Sequence, residues 1–469
     1  MNDVPSSSLS GRASLDAPSM ASAGGDGAAD PRPHVVIVGA GFAGLEAAKT
    51  LRDKDVRVTL IDRNNYHKFQ PLLYEVAMAG LEPDDIAHNV RNIFHGQENV
   101  RFHLGTVCGI DPDTKQVHLR HGTSIRYDAL ILAAGAVSND FGVEGVEEHA
   151  YPLKNVPDAV NLRNHVLRQF ERFDRNPSAA DPGTLTFVLV GGGPTGVEMA
   201  GALVELFDTL DGDFATFNTR EQARCILLEM QDDLLPPYAA PLRDYTRRTL
   251  EARGVEVRTQ TTVDRVAPNA VHLDDGSSIP TKTLIWAAGV RASPVADLLE
   301  TEQAWDGRVV VNDDLSVSDA PDVYAVGDMA AIDGEDGYQP QLAQVAIQSG
   351  RHAAQQIVRR LNDQPTTAFS YTDLGQMATI GRNAAVAEMP GGMQLKGLFA
   401  WLLWVVIHIA KLVGFRNRLS AFVNWSYNYF TYNRSARLIL DAVPIDDDIP
   451  LEVEEVDAAV RQRLKEVGA

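Results

Sequence analysis

A glycine-rich segment near the start of the chain has the residue types and spacing that bind the pyrophosphate of a dinucleotide. The apolar run HVVIV leads into GAGFAG, where Gly39, Gly41 and Gly44 form a GxGxxG pattern followed by a helix-like segment. Glycines let the backbone approach a pyrophosphate, and the start of a helix offers unpaired N–H groups and a positive dipole end. The next apolar run, VRVTLID, ends in Asp62, whose carboxylate can accept hydrogen bonds from ribose hydroxyls.

The same arrangement returns later in the chain. The apolar run LTFVLV leads into GGGPTG, where Gly191, Gly193 and Gly196 repeat the pattern, and the run CILLE ends in Glu229. A carboxylate here pairs with a free ribose 2′-hydroxyl and repels a 2′-phosphate, so NADH is favoured over NADPH. One glycine pattern is weak evidence, but a strand, a helix and an acid in both copies favour two dinucleotide sites over two structural turns.

The spacing of these phrases indicates an internal duplication. The first glycines of the two patterns are 152 residues apart, and the phrases LILAAG and LIWAAG, which end at Gly135 and Gly289, are 154 residues apart. The two acids are 167 residues apart, so the second copy has about fifteen additional residues. We predict that these residues lengthen a surface connection over residues 208–222.

Composition excludes several other classes of protein. A chain of 469 residues with 45% hydrophobic content is sufficient for two or three packed domains, and a net charge of −21 argues against a nucleic-acid partner. Cys108 and Cys225 form no CxxC pair, so neither a disulfide scaffold nor a dithiol centre is expected. The twelve histidines show no metal-binding spacing, and we predict no metal site. Residues 1–33 lack a signal-peptide core and are predicted to be a disordered leader on a cytoplasmic protein.

A third apolar run, DVYAVGD, ends in Gly327 and Asp328 and completes the pattern of a known family. The chain resembles the two-dinucleotide-binding-domain flavoproteins, in which the aspartate of such a pair reaches the ribityl chain of FAD. The resemblance implies an α/β fold with two Rossmann-like dinucleotide-binding domains, an NAD domain inserted in a split FAD domain. The predicted boundaries are 34–152 and 305–371 for the FAD domain, 153–304 for the NADH domain, 372–441 for a C-terminal amphipathic helical membrane-anchoring segment, and 442–469 for an acidic tail.

Two further phrases narrow the resemblance. FQPLLYEVA, residues 69–77, and LAQVAIQSG, residues 342–350, resemble hallmark segments of the type II NADH:quinone oxidoreductases, which are non-pumping respiratory dehydrogenases. This resemblance runs from about residue 34 to residue 441. It implies that NADH reduces non-covalent FAD, that two electrons pass to menaquinone or ubiquinone without proton pumping, and that the chain is a homodimer.

The resemblance also implies roles for individual residues. Gln344 and Gln348, four apart and therefore on one helix face, line the quinone channel, and Glu198 lies near the nicotinamide and the flavin as a catalytic residue. The ordinary alternatives are solvated glutamines and a carboxylate in the first turn of a helix. Separately from the resemblance, we predict that a helix opening near Gln341 directs its positive end at the flavin pyrimidine and stabilises the reduced anion.

The residues expected to contact the two dinucleotides fall into two sets. The FAD set is Gly39, Gly41, Phe42, Ala43, Gly44, Asp62, Arg63, Gln70, Val107, Ala134, Gly135, Gly327, Asp328 and Ala343. The NADH set is Gly191, Gly193, Pro194, Thr195, Gly196, Glu229, Ala288 and Gly289.

The composition changes abruptly near the C-terminus. Residues 396–440 contain six basic residues, no acid and three of the five tryptophans, which favours a membrane interface with anionic lipid. The apolar run 398–413 is shorter than the roughly 20 residues that span a bilayer. Trp401, Trp404, His408 and Lys411 form one amphipathic stripe, with aliphatic residues on the other faces. We therefore predict a peripheral, monotopic protein on the cytoplasmic face of the membrane; a core helix, a dimer-interface helix and a single span are the alternatives.

Two other function classes share the dinucleotide motifs. One is a soluble NAD(P)H:ferredoxin or rubredoxin reductase, against which the cationic segment 396–440 argues. The other is a redox-sensing interaction flavoprotein similar to apoptosis-inducing factor. Slow flavin reduction and a long-lived charge-transfer complex with NADH would indicate that class.

Overall fold

The computed structural model describes residues 30–335, 337–431 and 436–440. Most of the predicted leader and the whole acidic tail lie outside these residues. The helices are α1 (Phe42–Thr50), α2 (Leu73–Ala77), α3 (Pro83–Ile86), α4 (Val90–Ile93), α5 (Val146–His149), α6 (Val156–Arg175), α7 (Pro194–Leu210), α8 (Thr219–Gln222), α9 (Ala240–Ala252), α10 (Ala343–Leu361), α11 (Leu398–Lys411) and α12 (Phe415–Thr431).

The strands form one large sheet in each dinucleotide-binding domain and several small ones. They are β1 (His34–Val38), β2 (Arg57–Asp62), β3 (Tyr66–Lys68), β4 (Ala87–Asn89), β5 (Val100–Leu104), β6 (Val107–Asp111), β7 (Gln116–Leu119), β8 (Ser124–Arg126), β9 (Ala129–Leu132), β10 (Ala136–Ser138), β11 (Ala150–Pro152), β12 (Thr186–Val190), β13 (Arg224–Leu228), β14 (Val255–Arg258), β15 (Val263–Ala267), β16 (Ala270–Leu273), β17 (Ser278–Pro280), β18 (Thr283–Trp286), β19 (Val290–Ala292), β20 (Val309–Val310), β21 (Ser316–Val317), β22 (Ala320–Ala325), β23 (Ala330–Ala331), β24 (Asp333–Gly334), β25 (Gly337–Tyr338), β26 (Gln376–Thr379), β27 (Ala385–Met389) and β28 (Met393–Gly397).

The first large sheet is built from two separate pieces of the chain. Its strand order is β21-β22-β9-β1-β2-β5, and β1 runs parallel to both β2 and β9. Every residue of β1 and β9 is buried, as expected for central parallel strands. The strand β22 returns to pair with β9 after about 190 intervening residues. The prediction of a split first domain with a second domain inserted is confirmed.

The second large sheet has the order β11-β18-β12-β13-β14 and is parallel throughout. Because β11, residues Ala150–Pro152, pairs with β18, the inserted domain begins a few residues before the predicted boundary at 153. The additional residues of the second copy also differ from the prediction. The helix α7 has 17 residues against nine in α1, so eight of the fifteen extend the helix and only the rest lengthen the connection.

The additional turns of α7 have a packing reason. They bury Leu203, Leu206, Phe207 and Leu210, and the ring of Phe207 packs against that of Phe187 at a centroid distance of 5.4 Å. Burying such side chains stabilises the domain by roughly 1.5–3 kcal/mol each. The insertion is therefore part of the core and not only of a surface loop.

The C-terminal region combines a small sheet with two helices. The strands β26, β27 and β28 form an antiparallel sheet, and α11 packs against all three. The sequence analysis anticipated the helices but not this sheet. Within the described residues, no helix combines the length and the apolar character that crossing a bilayer requires.

Candidate active site

The two glycine loops have almost the same backbone geometry. The φ angle is +108° at Gly39 and +111° at Gly191, a region that side chains rarely adopt. A Cβ atom would lie 2.3 Å from the carbonyl oxygen of Ala133 at the first position and 2.6 Å from that of Ala287 at the second. Both alanines belong to the repeated phrases after β9 and β18, so the duplication predicted from the spacing extends to this contact.

The remaining glycines of each loop divide into two kinds. A Cβ at Gly44 or Gly196 would lie 1.8 Å from the carbonyl oxygen of the first glycine of its own loop, so these residues let the helix approach the strand. A Cβ at Gly41 or Gly193 would meet no atom within 4 Å. Each middle glycine therefore opens onto space at the N-terminus of α1 or α7, where a pyrophosphate fits against the helix N–H groups.

The two acids are held in the same way. Asp62 accepts hydrogen bonds from the backbone N–H groups of Ala40 and Asn64, both at 2.7 Å. Glu229 accepts from the equivalent groups of its own unit, at 2.6 and 2.7 Å. Each carboxylate keeps further lone pairs for ribose hydroxyls. The loops and acids thus fit the dinucleotides predicted for them.

Asp328 lies in a polar cluster beside the first loop. It follows β22 in the turn Gly327–Met329, 3.8 Å from the Nζ atom of Lys154, and burial raises its pKa. The Nζ of Lys68 donates to the carbonyl of Lys154 at 2.6 Å, and burial lowers the pKa of Lys68 to about 8. Sequence reasoning identified Asp328 but missed both lysines, because they lie far from it along the chain.

The other residues of the FAD set lie on several elements. Phe42 and Ala43 begin α1, Arg63 follows β2, and Ala343 begins α10. A Cβ at Gly350 would lie 2.3 Å from the carbonyl oxygen of Ala43, so α1 and α10 cross at this glycine. The other members are distributed as follows: Gln70 in the turn before α2, Val107 at the start of β6, and Ala134 and Gly135 directly after β9.

In the NADH set, Pro194 and Thr195 begin α7, and Ala288 and Gly289 follow β18. Both Pro194 and Thr195 are exposed.

Glu198 lies where the inserted domain meets the C-terminal sheet. It is the fifth residue of α7, so the first-turn alternative is wrong. Its Oε1 accepts a hydrogen bond from the backbone N–H of Thr379 at 3.4 Å, and burial, with a contribution from Glu75, raises its pKa to about 8. The charge of Glu198 also helps to raise the pKa values of Tyr74 and Tyr238. A protonated carboxyl can hold and transfer a proton.

Gln344 and Gln348 bind the same short segment of backbone. Gln344 donates to the carbonyl of Gly375 at 3.0 Å and accepts from the N–H of Leu374 at 3.2 Å. Gln348 donates to the carbonyl of Thr372 at 2.8 Å and accepts from its N–H at 3.0 Å. The shared helix face is as predicted, and both amides hold the connection from α10 to the C-terminal sheet.

The part of the α11 stripe formed by Trp404 and His408 faces inward. Trp404 is buried and stacks on His408, with ring centroids 4.1 Å apart. The ring centroids of His408 and Phe69 are 6.1 Å apart, and those of Phe69 and Phe42 are 5.8 Å apart. A row of aromatic rings therefore joins α11 to the first glycine loop. Burial lowers the pKa of His408 to about 4. Of the predicted stripe, Lys411 is exposed.

The outer face of α11 is apolar. The large exposed apolar residues of this helix are Leu398, Phe399, Leu402 and Val406. The 3.6-residue period was visible in the sequence, but both faces of the helix are apolar. The period therefore did not show which face packs on the protein.

Comparisons with known proteins agree with this geometry. Residues 33–350 match the pyridine nucleotide-disulphide oxidoreductase family, and residues 374–432 match the NDH2 C-terminal domain. The type II NADH:quinone oxidoreductase NdhA of Mycobacterium tuberculosis is 41% identical over 426 residues, which cover 87% of this chain and 89% of the relative. A type II NADH:quinone oxidoreductase of Staphylococcus haemolyticus is 31% identical over 374 residues, covering 77% and 91%.

A solved structure supports the fold. The structure of NDH2 from Plasmodium falciparum in complex with NADH superposes with a TM-score of 0.77 at 20% identity, covering 87% of this chain and all of that one. The predicted fold class and the predicted resemblance are confirmed, and the two rival function classes are not favoured. The chain belongs to the family of type II NADH:quinone oxidoreductases.

Proposed function

We propose that this chain binds FAD at the first glycine loop, oxidises NADH at the second, and reduces a membrane quinone without proton pumping. The observation that carries the proposal is the pair of equivalent loops and acids, together with the family of the chain. FAD, when bound, supplies a ring that accepts a hydride and releases two electrons. The residues of this chain bind and orient the reactants and manage the accompanying protons.

Strand order sets the direction in which NADH lies across the inserted domain. The strand β12 has β13 on one side and β18 on the other, and a dinucleotide binds across the end of such a central strand. Because Glu229 directly follows β13, it is the residue proposed to bind the adenosine ribose. The nicotinamide half then lies toward the end of β18, near Ala288 and Gly289, on the side from which the chain returns to the FAD domain.

Glu198 is the proposed proton carrier. Quinone reduction consumes two protons, and a carboxyl whose pKa is about 8 is mostly protonated at neutral pH. Tyr74 and Tyr238, whose pKa values the charge of Glu198 raises, are the proposed groups through which its proton is replaced. Glu198→Gln removes the titration and preserves the shape of the side chain, so an unchanged pH profile of quinone reduction would contradict this role.

The N-terminus of α10 lies beside Asp328. Gln341, two residues before this helix, donates its side-chain N–H to the carbonyl of Asp328 at 3.0 Å. The positive end of a 19-residue helix favours negative charge on a group bound there. This is the proposed role of the helix toward the cofactor.

The outer face of the C-terminal helices is proposed to dock on the cytoplasmic lipid surface. Phe399 and Val406 on α11 are 77% and 64% exposed, and Leu419, Phe422 and Val423 on α12 extend the apolar face. The surrounding segment is basic, with Lys411 and Arg418 exposed, which complements anionic headgroups. The outer apolar face and the inner row of rings together would bring a quinone from lipid toward the first loop.

The docking is tested by cosedimentation with vesicles of phosphatidylcholine with and without phosphatidylglycerol. Phe399→Ser should weaken binding roughly ten- to a hundredfold, since burying a phenylalanine contributes about 1.5–3 kcal/mol. Trp305→Ser, at another exposed aromatic residue, is the matched control. Equal binding by wild type and Phe399→Ser would contradict this surface. Homodimerisation stays a prediction that light scattering in detergent can check.

The proposed activity is tested by anaerobic titration of the yellow holoenzyme. NADH should bleach the flavin absorbance, and a short-chain quinone should restore it within one turnover. Restoration by ferredoxin but not by quinone would contradict the proposal. A colourless protein that takes up no FAD on reconstitution would contradict it at the first step.

A further inference from the structure

The loop between β10 and β11 carries an unusual residue. Phe141 has a φ angle of +54° and a side chain that is 55% exposed. Bulky residues are rarely found in this region of backbone space, where they cost of order 1–3 kcal/mol and cluster at binding sites. An exposed ring on a strained backbone contributes little to folding, so its position suggests another role.

Hydrogen bonds fix this loop to the end of β18. The N–H of Phe141 donates to the Oδ1 of Asn139 at 3.0 Å. The N–H of Asn139 donates to the carbonyl of Gly289 at 3.1 Å, and the indole Nε1 of Trp286 donates to the carbonyl of Asn139 at 2.7 Å. The backbone that carries Phe141 is thus held relative to the strand that precedes part of the NADH set.

The ring of Phe141 lies directly against Gly289. A Cβ at Gly289 would lie 2.8 Å from the Cζ atom of Phe141 and 3.1 Å from its Cε2. The φ angle of Gly289 lies outside the left-handed region, so backbone conformation does not require glycine. The equivalent Gly135 differs: its φ is +72° and no atom lies within 4 Å of the corresponding Cβ position. An aromatic ring therefore occupies this space at Gly289 of the NADH unit, whereas the corresponding space at Gly135 of the FAD unit is open.

Resting on the proposed function, we propose that Phe141 is a positioning residue for NADH. Its ring packs on the nicotinamide riboside half of the bound dinucleotide, because Gly289 follows β18 on the nicotinamide side of β12. The exposed part of the ring becomes buried when NADH binds. The strained backbone keeps the ring in this position before binding. The role is to keep the nicotinamide against the flavin during hydride transfer.

The test separates the ring from the backbone. Phe141→Gly removes the ring at a φ that glycine adopts freely, so the melting temperature should stay equal or rise. The KM for NADH should increase roughly three- to tenfold, the range expected for one aromatic contact. The long-wavelength absorbance formed when NAD⁺ binds the reduced holoenzyme should weaken, while the KM for a short-chain quinone stays unchanged. Phe141→Tyr should retain the wild-type KM for NADH and the wild-type long-wavelength absorbance.

Trp305→Ala is the matched control, since this residue is 83% exposed and is aromatic but outside the NADH set. Wild-type NADH affinity and wild-type long-wavelength absorbance in Phe141→Gly would overturn the proposal. The same changes in Trp305→Ala, or a parallel loss of quinone affinity in Phe141→Gly, would also overturn it, since each indicates a general structural effect. Failure of the wild-type protein to oxidise NADH would instead contradict the proposed function, so the two failures are distinguishable.

Discussion

The two dinucleotide units have nearly identical loops but different neighbours. The first-glycine φ angles differ by 3°, and both acids accept N–H groups from equivalent backbone positions. Behind the first loop, α1 packs closely against α10 at Gly350. Behind the second, α7 packs closely against the C-terminal sheet, where a Cβ at Gly201 would lie 2.5 Å from the carbonyl oxygen of Ile380. The two loops are therefore equivalent, whereas the helix behind each loop packs against a different part of the chain.

The largest expected effects come from replacing the first glycine of either loop. Gly39→Ala places a methyl group against a carbonyl oxygen at a φ that alanine does not adopt, so FAD binding should fall at least 100-fold, a loss of about 3 kcal/mol or more. Gly191→Ala should retain FAD and lose NADH affinity by a similar factor. Flavin content after purification and anaerobic NADH titration measure the two effects. Loss of flavin in Gly191→Ala would break the assignment of the two loops.

The second prediction concerns the glycines at which α7 and α1 pack closely against their neighbours. Gly201→Ala pushes α7 away from Ile380, and overpacking of this kind costs typically 1–3 kcal/mol. Quinone reduction should fall several-fold, while NADH oxidation with ferricyanide, a soluble acceptor, should be retained. Gly350→Ala is the matched variant at the close contact between α1 and α10, and it should weaken FAD retention instead. Identical phenotypes for the two variants would show that the helices do not divide these roles.

The third prediction is a pH dependence. Because the pKa of Glu198 is raised to about 8, the folded protein binds its proton more tightly than the unfolded chain does. The stability linked to this group is therefore complete below the ordinary glutamate pKa and declines as the pH rises through about 8. Glu198→Gln should melt above wild type at pH 8–9, by about 1 °C for each kcal/mol in a chain of this length, with the difference vanishing near pH 4. A constant difference at all pH values would contradict the raised pKa.

Local sequence predicted the parts of this site whose contacts are local. Each glycine loop and its acid are joined within one βαβ unit, so spacing alone identified Asp62 and Glu229. The contact of Glu198 with Thr379 joins residues 181 positions apart, and no motif indicates it. The sheet β26–β28 and the inward direction of Trp404 were missed for the same reason, since which apolar surface is covered depends on the whole fold.

The smallest expected effect distinguishes two roles of Gln348: a clamp, meaning a side chain that holds the backbone of Thr372, and a quinone ligand. Gln348 makes a reciprocal pair of hydrogen bonds with the backbone of Thr372, and Gln344 holds the backbone at Leu374 and Gly375. Each ordinary hydrogen bond contributes about 0.5–1.5 kcal/mol, so Gln348→Ala should lower the melting temperature by a few degrees. If this clamp is its main role, kcat with quinone should fall less than threefold and the KM for quinone should not change. A large rise in that KM with an unchanged melting temperature would assign Gln348 to the quinone channel, as the family resemblance predicts. Gln344→Ala, measured beside it, shows whether the residue one turn nearer the flavin end of α10 differs from it.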